Sequence, residues 1–191
     1  MERSTREVEI KLPFESPTAA REGVERLGAR VTRARYFEDN LVFDRDADEL
    51  FSGDILLRLR RTGESALLTL KLPVEGNHRH KVKEEHETPV ADGDAMIAVL
   101  NGLGYSTRYR YQKYRTVLRL DDLEICLDET PIGCYVELEG PPDEIDRAAA
   151  RLGFEPAQYV RETYGELHRR LSEERGVEMG DMLMDRSGAA S

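Results

Sequence analysis

The sequence predicts an α+β fold dominated by long antiparallel strands with a few helices packed against them. Seven segments alternate charged and apolar residues letter by letter, the pattern of strands with one polar and one apolar face. Tight turns join successive segments, as around Gly63, which favours antiparallel neighbours. Between the strand-like segments lie stretches with helix start and stop signals.

The elements follow in order. In "REVEIKL" (6–12), Glu7, Glu9 and Lys11 alternate with Val8, Ile10 and Leu12, and Pro13 and Pro17 bracket the break after it. "SPTAAREGVERLGA" is a helix with Ser16 as cap, Pro17 in its first turn and Gly28 at its end. Extended chain runs from about Val31 to Phe43, and "DILLRLRRTG" and "ESALLTLKLP" form a hairpin around Gly63. "HRHKVKEEHETPV" is a strand stopped by Pro89, and "DGDAMIAVLNGLGY" a helix capped by Asp92 or Asp94. "RYRYQKYRTVLRL", "DLEICLDET" and "GCYVELEG" are three strands joined by tight turns. "PPDEIDRAAARLGF" is a helix opened by proline, and "AQYVRETYGELHRRLSEERG" a last, largely polar helix. Residues 1–175 are expected to form one domain, followed by a disordered tail over 176–191.

Composition narrows the function. A net charge of -10 argues against a general nucleic-acid or membrane-surface binder. The start, "MERSTREVE", lacks the apolar stretch of a signal peptide, and no apolar run is long enough to span a bilayer, so a cytoplasmic location is expected. Cys126 and Cys134 show no CxxC spacing and are expected to be free thiols. His78, His80 and His86 have no accompanying cluster of His or Cys, which points to solvated histidines rather than metal ligands. "RYRYQKYR" raises a rival function, stacking of single-stranded bases on Tyr109 and Tyr111, but the basic stretch is isolated in an acidic chain.

The charged faces carry the functional reading. Arg58 and Arg60 share a face, as do Lys71 with Thr69, Lys83 with Glu85 and Glu87, and Lys113 with Arg115. Glu124, Cys126 and Asp128 share another, and Glu137 and Glu139 a last one. Two arrangements fit: an open sheet with its charged face in water, or a sheet curled so that charged faces meet in a tunnel. Like charges about 6–7 Å apart on one strand repel unless something of opposite sign sits between them. Paired arginines suit a polyanion such as phosphate, and paired glutamates suit Mg²⁺ or Mn²⁺. A metal-bound polyphosphate satisfies both.

These residues resemble a known family. "EVEIK" matches the ExExK motif of the CYTH superfamily, and "LRLR", "LTLK", "KEEHE", "KYR", "LDE" and "YVELEG" resemble its later motifs in the same order, over roughly residues 5 to 167. "ETYGEL" is similar to the segment near the family's C-terminus, and the layout looks most like the class IV adenylate cyclase branch. The resemblance implies a triphosphate tunnel metalloenzyme, a closed antiparallel barrel of about eight strands. By position, Lys11, Arg58, Arg60, Lys71, Lys113 and Arg115 would bind the triphosphate, with Lys83 an added basic residue and Arg161 a candidate from the C-terminal helix. Glu7, Glu9, Glu137 and Glu139 would hold a divalent cation, supported by Asp128 and Glu85. The substrate would be ATP, converted to cyclic AMP and pyrophosphate. The alternatives are hydrolysis of tripolyphosphate or thiamine triphosphate, and a non-catalytic polyphosphate-binding module. The chain has no Trp, so any ring of the substrate must be met by Tyr or Phe. A monomer or homodimer is expected, with no nucleic-acid or membrane partner.

Overall fold

The computed structural model describes residues 5–76 and 79–185. Eight strands close into an antiparallel barrel: β1 (Thr5–Phe14), β2 (Arg30–Asp44), β3 (Leu56–Thr62), β4 (Ser65–Pro73), β5 (Lys81–Val90), β6 (Ser106–Leu120), β7 (Leu123–Thr130) and β8 (Gly133–Glu139). Around the barrel the order is β1-β5-β4-β3-β2-β6-β7-β8, and β8 pairs back onto β1. Closure leaves no open sheet edge in the ring. β2 and β6, at 15 residues each, are the longest strands, and register shifts near Arg33 and Val42 let them bend around the barrel.

The helices cover the outside. They are α1 (Pro17–Leu27), α2 (Glu49–Ser52), α3 (Gly93–Gly102), α4 (Pro142–Arg151) and α5 (Tyr164–Glu174). Ser16 caps α1, accepting from the Ala19 N–H at 3.1 Å, and Gly28 ends it in the left-handed conformation. Asp92 caps α3, accepting from the N–H groups of Asp94 and Ala95. Ile10, Leu12, Ile125, Val136 and Leu138 point outward from the barrel and are fully buried under α1 and α4. Phe43 and Leu59 do the same under α3. Each such side chain contributes about 1.5–3 kcal/mol. The apolar faces are therefore outside, beneath helices, and the charged faces have no place left but the interior. This decides between open sheet and tunnel.

Three sequence expectations change. The last helix begins at Tyr164, not near Ala157. Val160 exchanges two backbone hydrogen bonds with Lys11, both at 2.9 Å, which holds that stretch extended. A capping box between Thr163 and Glu166 then starts α5. The short α2 was not foreseen; the buried Asp44 carboxylate makes it, accepting from Leu50 N and Phe51 N at 2.9 Å. Finally, the expected unstructured tail does not begin at Gly176. Met182 is buried, donates to Arg110 O and accepts from Gln112 N, both at 2.9 Å. Residues 186–191 lie outside the described ones, as does His78.

Candidate functional site

The barrel interior holds a polar cavity of about 190 Å³. Seven basic side chains (Lys11, Arg58, Arg60, Lys71, Lys81, Lys113, Arg115) and seven acidic ones (Glu7, Glu9, Glu85, Glu87, Glu124, Glu137, Glu139) line it. Strand register explains the grouping. Glu9, Glu139 and Glu124 lie directly opposite one another on β1, β8 and β7, a row of three carboxylates across three strands. One step along, Lys11 faces Glu137. On the far wall, Arg60 faces Asn40, Arg58 faces Thr69, and Lys113 faces Glu38.

Without a ligand the two charge sets neutralise each other. Lys71 Nζ donates to Glu7 Oε1 at 2.6 Å, Lys81 Nζ to Glu9 Oε1 at 2.6 Å, and Lys11 Nζ to Glu9 Oε1 at 3.1 Å. Arg115 pairs with Glu137. Burial alone would raise the Glu9 pKa, but the fields of Lys11, Lys81 and Lys71 outweigh it and hold the carboxyl well below its usual range. Glu137 is held low in the same way, by Arg115, Lys11 and Lys113 against its burial. Burial would lower Lys11, yet Glu9 and Glu137 raise it. Lys81 goes the other way: burial, with the like charges of Lys11 and Lys71, lowers its pKa despite Glu9.

Two groups are less fully balanced, although Arg58 Nη2 does lie 3.8 Å from Glu87 Oε1. Arg58 is buried; Nη1 donates to Tyr111 Oη at 3.1 Å and Nη2 to Thr69 Oγ1 at 3.3 Å, while its Nε has no acceptor among the described residues. A buried, unpaired guanidinium N–H at an interior cavity is a place for an anion's oxygen. Glu139 is the acidic counterpart. Burial, then Glu7 and Glu9, push its carboxyl from 4.5 up to about 8, and Lys71 offsets only part of this. Among the described residues no three carboxylates are already closed into a ligand set. The donors nonetheless suit a hard divalent cation: they are all oxygen, and the crowding around Glu139 is what a dication would relieve.

A pH test of the metal-free protein follows. The unfolded chain releases the Glu139 proton near the ordinary value of 4.5, while the folded protein holds it up to about 8. Glu139 therefore lowers stability increasingly as pH rises through that window, and not below it. Glu139→Gln should raise the melting temperature in chelator, with a gain near zero at about pH 4 that grows up to about pH 8. Thermal unfolding across this range checks it; a gain independent of pH would mean the carboxyl is not held protonated.

Not every expected residue reaches the cavity. Asp128 has no exposed surface and is not part of the lining. It accepts from Lys113 Nζ at 2.7 Å, Arg115 Nε at 2.6 Å and Tyr164 Oη at 2.8 Å. It orients the basic pair from behind, with Lys113, Arg115 and Tyr164 all donating to Oδ2. Lys83 points toward α2, donates to Asp54 O at 2.7 Å and lines a neighbouring cavity instead. Arg161 is exposed, lies ahead of α5, and belongs to neither lining. His80 is buried rather than solvated, at 2.8 Å from Asp146 on α4. Cys126 and Cys134 are free, and burial raises both thiols, Cys134 to about 11.

Several residues were missed. Lys81 shares its face with Lys83 and Glu85, so parity alone could have found it. Tyr111 shares the face of Lys113, and its phenol pKa is lowered: Arg58, Lys113 and Arg60 outweigh burial. Glu38, fully buried between Arg60 Nη1 at 3.4 Å and Lys113 Nζ at 3.6 Å, sits on β2, where alternation is least regular. Its pKa is held low by Lys113, Arg115 and Arg60 against strong burial. Tyr109, Tyr111 and Tyr135 instead fill one end of the barrel with Tyr164 and Leu167 of α5. A Cβ at Gly165 would lie 2.1 Å from Tyr109 Oη, so only glycine lets α5 sit this close. Both tyrosines offered to stacked bases are buried, which removes the nucleic-acid reading of "RYRYQKYR".

Comparison with known proteins agrees with this geometry. Solved structures share the fold. A candidate adenylate cyclase from Vibrio parahaemolyticus matches with a TM-score of 0.73 at 19% identity, over 86% of this chain and 98% of that one. A protein from Pyrococcus horikoshii matches at 0.68 and 24%, over 88% and 99%. A candidate adenylyl cyclase from Hippeastrum, described as having a dominant triphosphatase activity, matches at 0.59 and 20%, over 93% and 97%. No curated protein matched in sequence. At these identities the shared feature is the fold. The CYTH domain model matches residues 5–164, from β1 to the first residue of α5, and the chain is therefore a member of the CYTH domain family.

Proposed function

We propose that this chain is a divalent-metal-dependent enzyme acting on a triphosphate held inside the barrel, with conversion of ATP to cyclic AMP and pyrophosphate as the leading reaction. One observation carries the reading: seven acidic and seven basic side chains, eight of them buried, line a single cavity in a closed barrel. Such pairs are costly to bury for stability alone. They become useful when a ligand carrying both signs exchanges partners with them.

Lys11, Arg58, Arg60, Lys71, Lys113 and Arg115, joined by Lys81, bind and orient the phosphates. Glu7, Glu9, Glu137 and Glu139 would hold Mg²⁺ or Mn²⁺, with Glu85 and Glu124 beside them. The cation supplies charge neutralisation at the reacting phosphorus and activation of the attacking oxygen. The chain's own part is in-line positioning and stabilisation of the charge that develops on the phosphoryl oxygens. Asp128 and Glu38 keep the basic side chains extended into the cavity. Cyclisation requires the ribose 3′-oxygen to reach the α-phosphorus as pyrophosphate leaves.

Hydrolysis, with orthophosphate leaving, is the second reading. The 190 Å³ polar cavity favours it because it has charges for three phosphoryl groups without needing an organic half. Phosphorus NMR of the protein with ATP, tripolyphosphate or thiamine triphosphate, with Mg²⁺ or Mn²⁺, separates them. Cyclic AMP with pyrophosphate supports the cyclase. Orthophosphate supports the triphosphatase. Binding with no turnover of any of the three would overturn an enzymatic role in favour of a polyphosphate-binding module. Arg58→Ala should weaken tripolyphosphate binding by roughly 10–100-fold, the loss of a charge-assisted contact, and orthophosphate binding less. Calorimetry checks this; equal losses would argue against a site built for a chain of phosphates.

A further inference from the structure

A second cavity of about 400 Å³ adjoins the polar one. The two share Leu56, Lys71, Lys81 and Thr163 as lining residues and so lie side by side. This vestibule lies between α2, α5 and the barrel rim, and its lining differs in kind from the polar cavity. Most of its charged groups are already engaged within the protein, while Glu173 and Glu178 of the lining are exposed. Asp48 pairs with Arg108 at 2.6 Å, Asp54 O accepts from Lys83, and Glu166 caps α5. The surface left over is apolar and aromatic: Phe51, Ile55, Leu56, Tyr109, Val177 and Met179. The Arg169 guanidinium lies 3.6 Å from the centre of the Phe51 ring and ties α5 to α2. A volume of this size with such a lining fits the ring system of a small organic molecule.

The wall formed by residues 177–179 lies beyond the part of the chain that matches the family, which ends at residue 164. Its position has a structural cause. β7 pairs with β6 only from Tyr114 onward, so the earlier half of β6 offers backbone groups on that side. The segment 180–184 takes them. Gln112 N donates to Met182 O, Met182 N to Arg110 O, Arg110 N to Asp181 Oδ1 at 2.8 Å, and Met184 N to Gln112 Oε1 at 3.2 Å. His168 on α5 donates to Gly180 O at 2.9 Å. This strap holds Val177 and Met179 over the vestibule, and Val177 is left 58% exposed there.

We propose that residues 177–179, held by the strap, form one wall of a site for the ring of an organic triphosphate, and so determine which organic triphosphates the chain accepts. The proposal rests on the tunnel reading above: the phosphates lie among the shared lysines and the ring in the vestibule. It makes a nucleoside triphosphate, not inorganic tripolyphosphate, the better-fitted ligand.

The test is calorimetric binding of ATP and of tripolyphosphate, each with Mg²⁺, to the full-length protein and to Val177→Trp and Phe51→Ala. Tripolyphosphate reads the tunnel alone. The ratio of the two dissociation constants, ATP over tripolyphosphate, should rise about fivefold or more in both variants, the worth of one lost ring contact. Ratios within about twofold of the wild type in both variants would overturn it. Failure of tripolyphosphate to bind the unaltered protein would overturn the tunnel reading itself. Tripolyphosphate binding with unmoved ratios would leave that reading standing and reject only the wall.

Discussion

Asp128→Ala is expected to destabilise the protein by about 3–5 kcal/mol, more than any other single charge removal in the barrel. The reason is the number of donors left behind. Lys113, Arg115 and Tyr164 all donate to this one carboxylate, which has no exposed surface. Lys113 would keep only Glu38, at 3.6 Å, and Arg115 would keep Glu137. Tyr164 would lose the acceptor that anchors the start of α5. For a chain of this size the melting temperature should fall on the order of 10 °C. Denaturant unfolding measures the free energy directly. A loss under about 1 kcal/mol would mean that water replaces the carboxylate, and that Asp128 does not hold the basic pair in place.

Asp128 also shows what a sequence can and cannot disclose. Alternation put it on the charged face of β7, which is correct: parity is a property of the strand itself. Its role depends on how deep along the barrel axis it sits and on which helix closes that end. Both are set by strand stagger, which alternation does not encode. The same limit explains Lys83 and Lys81. They share a face, but Lys81 lies opposite Glu9 and reaches the acids, while Lys83 is drawn to Asp54 by the unforeseen α2. Glu38 escaped because β2 is bent by register shifts and its neighbours Arg33 and Arg35 lie outside the alternating pattern. Arg61 shows the converse, a charge on an apolar-parity position that pairs with Asp94 at the start of α3. The charged interior itself was legible because each strand carried it independently. The strap was not, because 177–185 mixes apolar and acidic residues with no regular period, and only the half-unpaired edge of β6 gives it a place to bind.

Glu137→Gln should lower metal-dependent turnover by roughly 100-fold or more while leaving the fold intact. Arg115, Lys11 and Lys113 keep the Glu137 carboxyl ionised against its burial, so it is ready to coordinate a cation. The amide keeps the shape and one oxygen but loses the charge that a dication needs. Loss of activity alone would not separate a metal ligand from a structural ion pair. Binding of tripolyphosphate in chelator does. Glutamine in place of Glu137 frees Arg115 and Lys11 from a competing anion and makes the cavity one unit more positive, so metal-free affinity for the polyanion should hold or increase. A purely structural role would lower both readings together, because the basic groups would lose their positions. Turnover falling while metal-free tripolyphosphate binding holds assigns Glu137 to the cation. Turnover unchanged would remove it from the metal site, and the same pair of measurements on Glu7→Gln would then show whether the acids of β1 hold the cation without β8.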